Sequence, residues 1–155
     1  MNIIFVCTGN VSRSFLAEML LKNEAKRLQL KDIVVSSAGV SAFNGLKADP
    51  EMVNYLSQIG VPAERFASRP ITKEDVDSAD IILVMEKAHQ KIIEDQWPDA
   101  KGKVELLGRY IAQDGSEDNI IDPFGKSPYY YRLARSQITL AIRSLVKKLL
   151  SEKKI

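Results

Sequence analysis

The stretch that decides the fold lies near the amino terminus, where residues 3–14 read IIFVCTGNVSRS. Residues 3–7 are apolar and mostly β-branched or aromatic, which is typical of a short buried strand. Residues 8–10 have the composition of a turn. From residue 13 to about residue 28, apolar residues recur at helical spacing, and the charged residues Glu18, Lys22 and Lys26 fall elsewhere on the helix. The segment therefore predicts a strand, a turn and a helix in succession.

The same alternation continues along the chain. Alternating strands and helices favour a parallel sheet with right-handed crossovers and helices on both faces, and ligands of such sheets bind outside the carboxyl ends of the strands. Cys7 lies at such an end. The apolar run 81–85 predicts a central strand, because central strands are buried on both faces. The remaining patterns predict strands over 33–36 and 104–107, and helices from the Asp49-Pro50 cap to Gly60, from Thr72 to about Ala79, over 87–96 and from about Tyr129 onward.

The length and composition are those of one globular domain. The chain has 155 residues, of which 45% are hydrophobic and 27% charged, so residues 1–155 are interpreted as a single domain of α/β class. The net charge is only +2 and the basic residues are scattered, which gives no reason to expect nucleic acid or a membrane as a partner. The longest apolar runs fall far short of the roughly 18 residues of a membrane span. We therefore expect a cytoplasmic protein.

The loop between the first strand and the first helix carries the chemistry. Cys7 and Arg13 enclose five residues, Thr8, Gly9, Asn10, Val11 and Ser12. A loop of this length can curl around a tetrahedral anion with its backbone N–H groups pointing inward, and Arg13 can complete the ring with a planar, charged fork. The same positive surroundings favour the thiolate of Cys7, which would then be a nucleophile at neutral pH. The alternative for a lone buried cysteine is an inert apolar residue.

This cysteine-x5-arginine-serine segment is similar to the signature of the low molecular weight protein tyrosine phosphatases. The resemblance covers nearly the whole chain, with similar segments at residues 37–39, 71–75 and 122–123 in the expected order. It implies a four-stranded parallel sheet with strand order 2-1-3-4. It also implies hydrolysis of phosphorylated protein side chains through a phosphocysteine, binding of phosphate-like anions, and neither a metal nor another cofactor.

The resemblance also implies roles for individual residues. Cys7 attacks phosphorus, Arg13 holds the equatorial oxygens, and Asp122 first donates a proton to the leaving oxygen and then activates water. Without the cysteine loop, the Asp122-Pro123 pair would be interpreted as a simple turn. The supporting residues implied are Ser14, which hydrogen-bonds the nucleophile, the pair Asn10 and Ser37, which braces the loop, and Phe43 and Phe124, which wall the entrance.

Four of the five supporting residues have a simpler alternative. Ser14 could cap its own helix, Asn10 could be a left-handed turn residue, and the two phenylalanines could pack loops. One departure from the family matters for redox chemistry. Where Ser12 stands, the family often has a second cysteine that can trap the oxidised nucleophile as a disulfide. The chain contains one cysteine, so no internal thiol can do this here.

The residues leave two identities open for the phosphorylated side chain. Residues 7–10 and 122–125 also resemble the bacterial protein-arginine phosphatases, which carry threonine where this chain has Val11. Valine offers only an apolar surface, which suits an aryl ring, and it cannot replace the hydroxyl of threonine. The residues therefore favour phosphotyrosine, with phosphoarginine as the alternative.

Three other function classes explain fewer of the residues. Arsenate reductases share the loop but resemble relays that need additional cysteines. A non-catalytic phosphopeptide-binding module would lack the nucleophile and the acid. A hydrolase that pairs Cys7 with His89 would leave the anion loop unexplained, and His89, in the polar stretch 87–91, is interpreted as an exposed helix residue.

Overall fold

The computed structural model describes residues 1–111 and 118–153, and strands alternate with helices through this part of the chain. Short 3-10 helices at Pro98–Ala100 and Leu107–Tyr110 flank the fourth strand. The main elements are, in chain order, β1 (Asn2–Cys7), α1 (Arg13–Arg27), β2 (Val34–Gly39), α2 (Pro50–Gln58), α3 (Lys73–Ser78), β3 (Ile81–Val84), α4 (Lys87–Gln96), β4 (Val104–Leu106) and α5 (Pro128–Lys153).

The four strands form one parallel sheet in the order β2-β1-β3-β4. The predicted α/β class and strand order are therefore confirmed, and β3 is central as expected. Side chains along β1 alternate between two cores. Ile3 and Phe5 pack with α1, α2 and α5, whereas Ile4 and Val6 pack with α3 and α4. Helices thus cover both faces of the sheet, which explains the continuous apolar character of the central strands.

Local signals placed the helix ends well. The Asp49 side chain accepts from the backbone N–H of Glu51 at 3.0 Å and caps α2. Gly60 follows the end of that helix with a φ of 73°, a left-handed conformation that favours glycine. The predicted capping box of Thr72 and Asp75 is present at the start of α3.

The ends of three strands differ from the prediction. β2 was expected over residues 33–36, but it continues to Gly39 because that residue is paired with Cys7 at the end of β1. β3 ends at Val84, and β4 ends at Leu106, with Leu107 beginning a 3-10 helix. Strand ends depend on pairing with a neighbouring strand, which the periodicity of one segment does not contain.

The environment of Glu18 also differs from the prediction. It was assigned to the polar side of α1, yet it is 7% exposed. Its carboxylate accepts a hydrogen bond from the Ser37 hydroxyl of β2 and pairs with Lys22 at 2.7 Å. Buried carboxylates are tolerated when such partners satisfy them, so the partner on β2 allows this burial.

Among residues 1–111 and 118–153, no helix is both long and apolar enough to cross a membrane.

Candidate active site

A cavity of about 260 Å³ opens where the chain leaves β1. Of the twelve residues predicted for the site, nine line this cavity and the other three lie behind the loop. The lining includes the loop residues Cys7, Thr8, Gly9, Val11, Ser12 and Arg13. It is completed at the mouth by Phe43, Asp122 and Phe124, together with Ser41 and Leu46. The cavity therefore brings together side chains that lie more than a hundred positions apart in the sequence.

Cys7 lines this cavity and is 3% exposed. Its Sγ is 2.9 Å from the Ser14 hydroxyl oxygen, which also accepts from Asn10 Nδ2 at 2.9 Å. Because the amide occupies a lone pair of the Ser14 oxygen, the serine hydrogen is free to point at the sulfur. A hydroxyl that donates to sulfur stabilises its anionic form.

Asn10 supports the loop from behind. Its φ of 58° places it in the left-handed region, which asparagine tolerates better than most residues. Its Nδ2 also donates to the Ser37 hydroxyl at 2.9 Å, and its Oδ1 accepts from the backbone N–H of Arg69 at 3.0 Å. Asn10 is therefore both a turn residue and a link between the loop and β2.

The Arg13 guanidinium is held in place by groups that the sequence did not identify. The residue is 2% exposed, and its Nη1 contacts Glu86 Oε2 at 2.7 Å and the Ile120 carbonyl at 2.8 Å. Ile120 is itself held by its backbone N–H, which donates to the Met85 carbonyl at 2.8 Å. Glu86 follows β3 at the same edge of the sheet as Cys7, and this position was the signal that could have identified it.

Asp122 lies at the mouth of the cavity, opposite the loop. Its Oδ2 is 3.8 Å from Arg13 Nη2, and its side chain is 48% exposed. Its Oδ1 accepts from the backbone N–H of Phe124 at 3.1 Å. Asp122 therefore also forms the simple turn that the Asp122-Pro123 pair predicts when it is considered without the cysteine loop. The carboxyl group is thus close to the guanidinium and accessible from solvent.

His89 was interpreted as an exposed helix residue, and this is wrong because the residue is 2% exposed. Its Nε2 is 2.9 Å from Thr8 Oγ1, and its Nδ1 accepts from the backbone N–H of Glu86 at 3.1 Å. Burial, together with the nearby Arg13 charge, lowers the pKa of His89 to about 4. The hydrogen bonds that hold the ring go to Thr8 and Glu86, a geometry that does not favour a Cys7-His89 pair.

One buried polar group and two exposed aromatic rings also line the cavity. The Ser12 hydroxyl is buried and has no hydrogen-bond partner among the residues that the structure describes. Phe43 and Phe124 are 75% and 63% exposed and stand at the entrance. Over the described ranges 1–111 and 118–153, no group of three or more His, Cys, Asp or Glu side chains could hold a metal ion.

Sequence comparison identifies the relatives of this chain. A sequence model described as low molecular weight phosphotyrosine protein phosphatase matches residues 2–155. The protein-arginine-phosphatase of Bacillus subtilis strain 168 is 39% identical over 154 residues, which cover 99% of this chain and 100% of that protein. The low molecular weight protein-tyrosine-phosphatase Ptp of Acinetobacter johnsonii is 37% identical over 123 residues, covering 79% of this chain and 80% of that protein.

Solved structures agree with the sequence relatives. A cysteine-to-serine mutant of the YwlE arginine phosphatase, with a phosphorylated active site serine, matches with a TM-score of 0.89 and 37% identity, covering 99% of each chain. The family match spans all but the first residue. The chain therefore belongs to the low molecular weight phosphotyrosine protein phosphatase family and is a phosphatase.

Proposed function

We propose that the protein removes phosphate from phosphotyrosine side chains through a phosphocysteine on Cys7. The observation that carries this proposal is the environment of the sulfur. Cys7 is buried in the wall of a cavity that the loop and Arg13 also line, and its sulfur is 2.9 Å from the Ser14 hydroxyl. The phosphorylated active site serine in the YwlE mutant supports a covalent route, because a nucleophile in the wall of such a cavity accepts the phosphoryl group.

In the first step the Cys7 thiolate attacks phosphorus, and the bond between phosphorus and the tyrosine oxygen breaks. Asp122 in its acid form delivers its proton to that oxygen, so a neutral phenol leaves. Backbone N–H groups of the loop and the Arg13 guanidinium face the phosphoryl oxygens, where charge is concentrated in the transition state. Glu86 and the Ile120 carbonyl keep the guanidinium in place.

In the second step water attacks the phosphocysteine. Asp122, now a carboxylate, takes a proton from the water, the sulfur-phosphorus bond breaks, and inorganic phosphate is released. The sulfur leaves as a thiolate, and the Ser14 hydroxyl stabilises it as it did before the first step. Asp122 is then an acid again and Cys7 a thiolate again, so the site has returned to its starting protonation state.

The cavity mouth supports an aryl substrate. Val11, Phe43 and Phe124 provide apolar surface around the loop, and aromatic rings pack favourably against such walls. Phosphoarginine is the second candidate, and a specific observation favours it. The protein-arginine-phosphatase of B. subtilis is similar over 99% of this chain, and the exposed Asp122 carboxylate could pair with a guanidinium.

The test compares kcat/KM on matched peptides that carry phosphotyrosine or phosphoarginine. We expect a preference for phosphotyrosine, and we expect Val11→Thr to shift the ratio towards phosphoarginine because it restores a hydroxyl. Cys7→Ser is the control and is expected to abolish turnover of both peptides while still binding phosphate. A clear preference of the unmodified protein for phosphoarginine would select the second candidate, and an active Cys7→Ser protein would reject the mechanism.

We also propose that the enzyme acts in the cytoplasm. Its nucleophile is a lone thiol that must stay reduced, and the cytoplasm is the compartment that keeps thiols reduced. Cell fractionation with an antibody against the chain tests this location, and recovery of the protein outside the cytoplasmic fraction would contradict it.

A further inference from the structure

The ring of His89 has a defined protonation state. The backbone N–H of Glu86 donates to Nδ1 at 3.1 Å, so this nitrogen carries a lone pair and not a hydrogen. The single hydrogen of a neutral imidazole must then be on Nε2. Nε2 is 2.9 Å from Thr8 Oγ1, which makes the threonine oxygen the acceptor of this contact.

Donation from the ring determines the direction of the Thr8 hydroxyl hydrogen. An oxygen that accepts from Nε2–H must direct its own hydrogen away from the ring. Thr8 follows Cys7 directly, lines the cavity and is exposed, whereas the imidazole behind it is buried. The hydroxyl can therefore add a side-chain donor to the backbone N–H groups of the loop.

The charges around His89 keep the ring neutral. The groups that act on it are Arg13 from α1, Glu86 at the start of α4 and Asp122 from the segment before α5, with Glu86 Oε2 3.7 Å from Nε2. Burial and the positive charge of Arg13 lower the pKa of His89 to about 4, although the two carboxylates oppose this effect. The donor arrangement is thus maintained at neutral pH.

We propose that His89 is a positioning residue of the phosphate loop, and that its neutral Nε2–H form orients the Thr8 hydroxyl to donate to an oxygen of the bound phosphoryl group. This inference rests on the proposed function, because it requires that a phosphoryl group binds in the cavity. It adds a role for the only histidine of the chain, which is remote in sequence from the loop.

The first test is the NMR spectrum of the imidazole nitrogens, in which one histidine gives one set of signals. At pH 7 we expect the signature of a neutral ring with hydrogen on Nε2. Saturation with inorganic phosphate is expected to shift the Nε2–H resonance, and Thr8→Val is expected to remove that shift. Hydrogen on Nδ1, a charged ring at pH 7, or a resonance that phosphate leaves unchanged would overturn the proposal. None of these outcomes depends on turnover, so they are distinct from failure of the proposed function.

The second test uses substitutions that mimic one ring nitrogen each. In His89→Asn the side-chain oxygen can still accept from Glu86 N–H but cannot reach Thr8, whereas in His89→Gln the longer amide can still donate to Thr8. We expect His89→Asn to lower kcat/KM for para-nitrophenyl phosphate about tenfold, the usual effect of losing one hydrogen bond to a charged group, and His89→Gln to lower it less.

A double substitution shows whether the effect passes through Thr8. In a Thr8→Val protein, His89→Asn is expected to cause no further loss of kcat/KM, because the hydroxyl it would orient is absent. Losses that multiply in the double variant, or equal losses in the Asn and Gln variants, would assign His89 a purely structural role and overturn the proposal.

Discussion

At the level of single residues, Ser12 changes the redox behaviour of the site. Its buried hydroxyl lines the same cavity as the Cys7 sulfur, and Cys7 is the only cysteine of the chain. A sulfenic acid formed on Cys7 therefore has no internal thiol with which to form a protecting disulfide. Further peroxide can carry the sulfur to the sulfinic and sulfonic states, which thiols do not reverse.

We expect peroxide to inactivate the enzyme in a way that dithiols reverse poorly. Mass spectrometry of the inactive protein is expected to show oxygen added to the Cys7 peptide and no intramolecular disulfide. The matched control is Ser12→Cys, which restores a second thiol beside the first and is expected to make recovery efficient. Efficient recovery of the unmodified chain after prolonged oxidation would contradict this prediction.

Asp122 gives a second prediction at this scale. In Asp122→Asn the side-chain oxygen can still accept from the backbone N–H of Phe124, so the turn is retained and only the acid is lost. We expect kcat to fall roughly 100-fold or more, the usual contribution of a general acid, with a small change in KM. Because para-nitrophenolate leaves readily without a proton, the loss is expected to be larger for phenyl phosphate. Equal losses on both esters would argue against proton donation.

At the level of elements, the end of β2 determines the shape of the loop after β1. Gly39 pairs with Cys7 across the sheet. A Cβ built on Gly39 would lie 2.5 Å from the Thr8 carbonyl oxygen and 2.8 Å from Ala42 Cβ, closer than real contacts allow. The strand must therefore end in glycine for the loop to pass so close to it.

We expect Gly39→Ala to lower the free energy of unfolding by roughly 1–3 kcal/mol, since overpacking in a dense region forces the backbone to shift. Gly9→Ala is the matched control within the loop, because a Cβ at Gly9 meets nothing within 4 Å. Urea unfolding followed by circular dichroism measures both variants. A Gly39→Ala protein as stable as the Gly9→Ala protein would show that the strand end can relax.

At the level of the whole molecule, burial of His89 links stability to pH. The folded state lowers the pKa of the ring from 6.5 to about 4 because of burial and the Arg13 charge. Between these values the unfolded chain binds a proton that the folded chain does not. Stability therefore decreases as pH falls from about 6.5 to about 4, by at most on the order of 3 kcal/mol from this group.

The measurement is the free energy of unfolding in urea at several pH values between 7 and 4. His89→Asn removes the only imidazole of the chain, so its stability is expected to fall less steeply over this interval. Carboxylates titrate in both proteins and cancel in the comparison. Parallel curves for the two proteins would show that His89 does not have the lowered pKa.

Local sequence determined much of the protein. The apolar run, turn and amphipathic segment of residues 3–28 specified β1, the loop and α1, and their spacing placed Cys7 and Arg13 around one cavity. Periodicity and caps act over a few residues, so a single segment contains them. The order of the strands came from the family resemblance, and the sheet confirms it.

Only the tertiary structure decided which polar residues support the site from behind. Glu18 stands in an apolar run, and Glu86 and His89 stand beside polar residues, yet the three side chains contact Ser37, Arg13 and Thr8 respectively. Their partners lie on other elements, and a buried charge or imidazole is stable only where those partners meet it. Helix periodicity describes one element at a time, whereas these contacts exist only after β2, β1 and β3 have been brought side by side in the sheet.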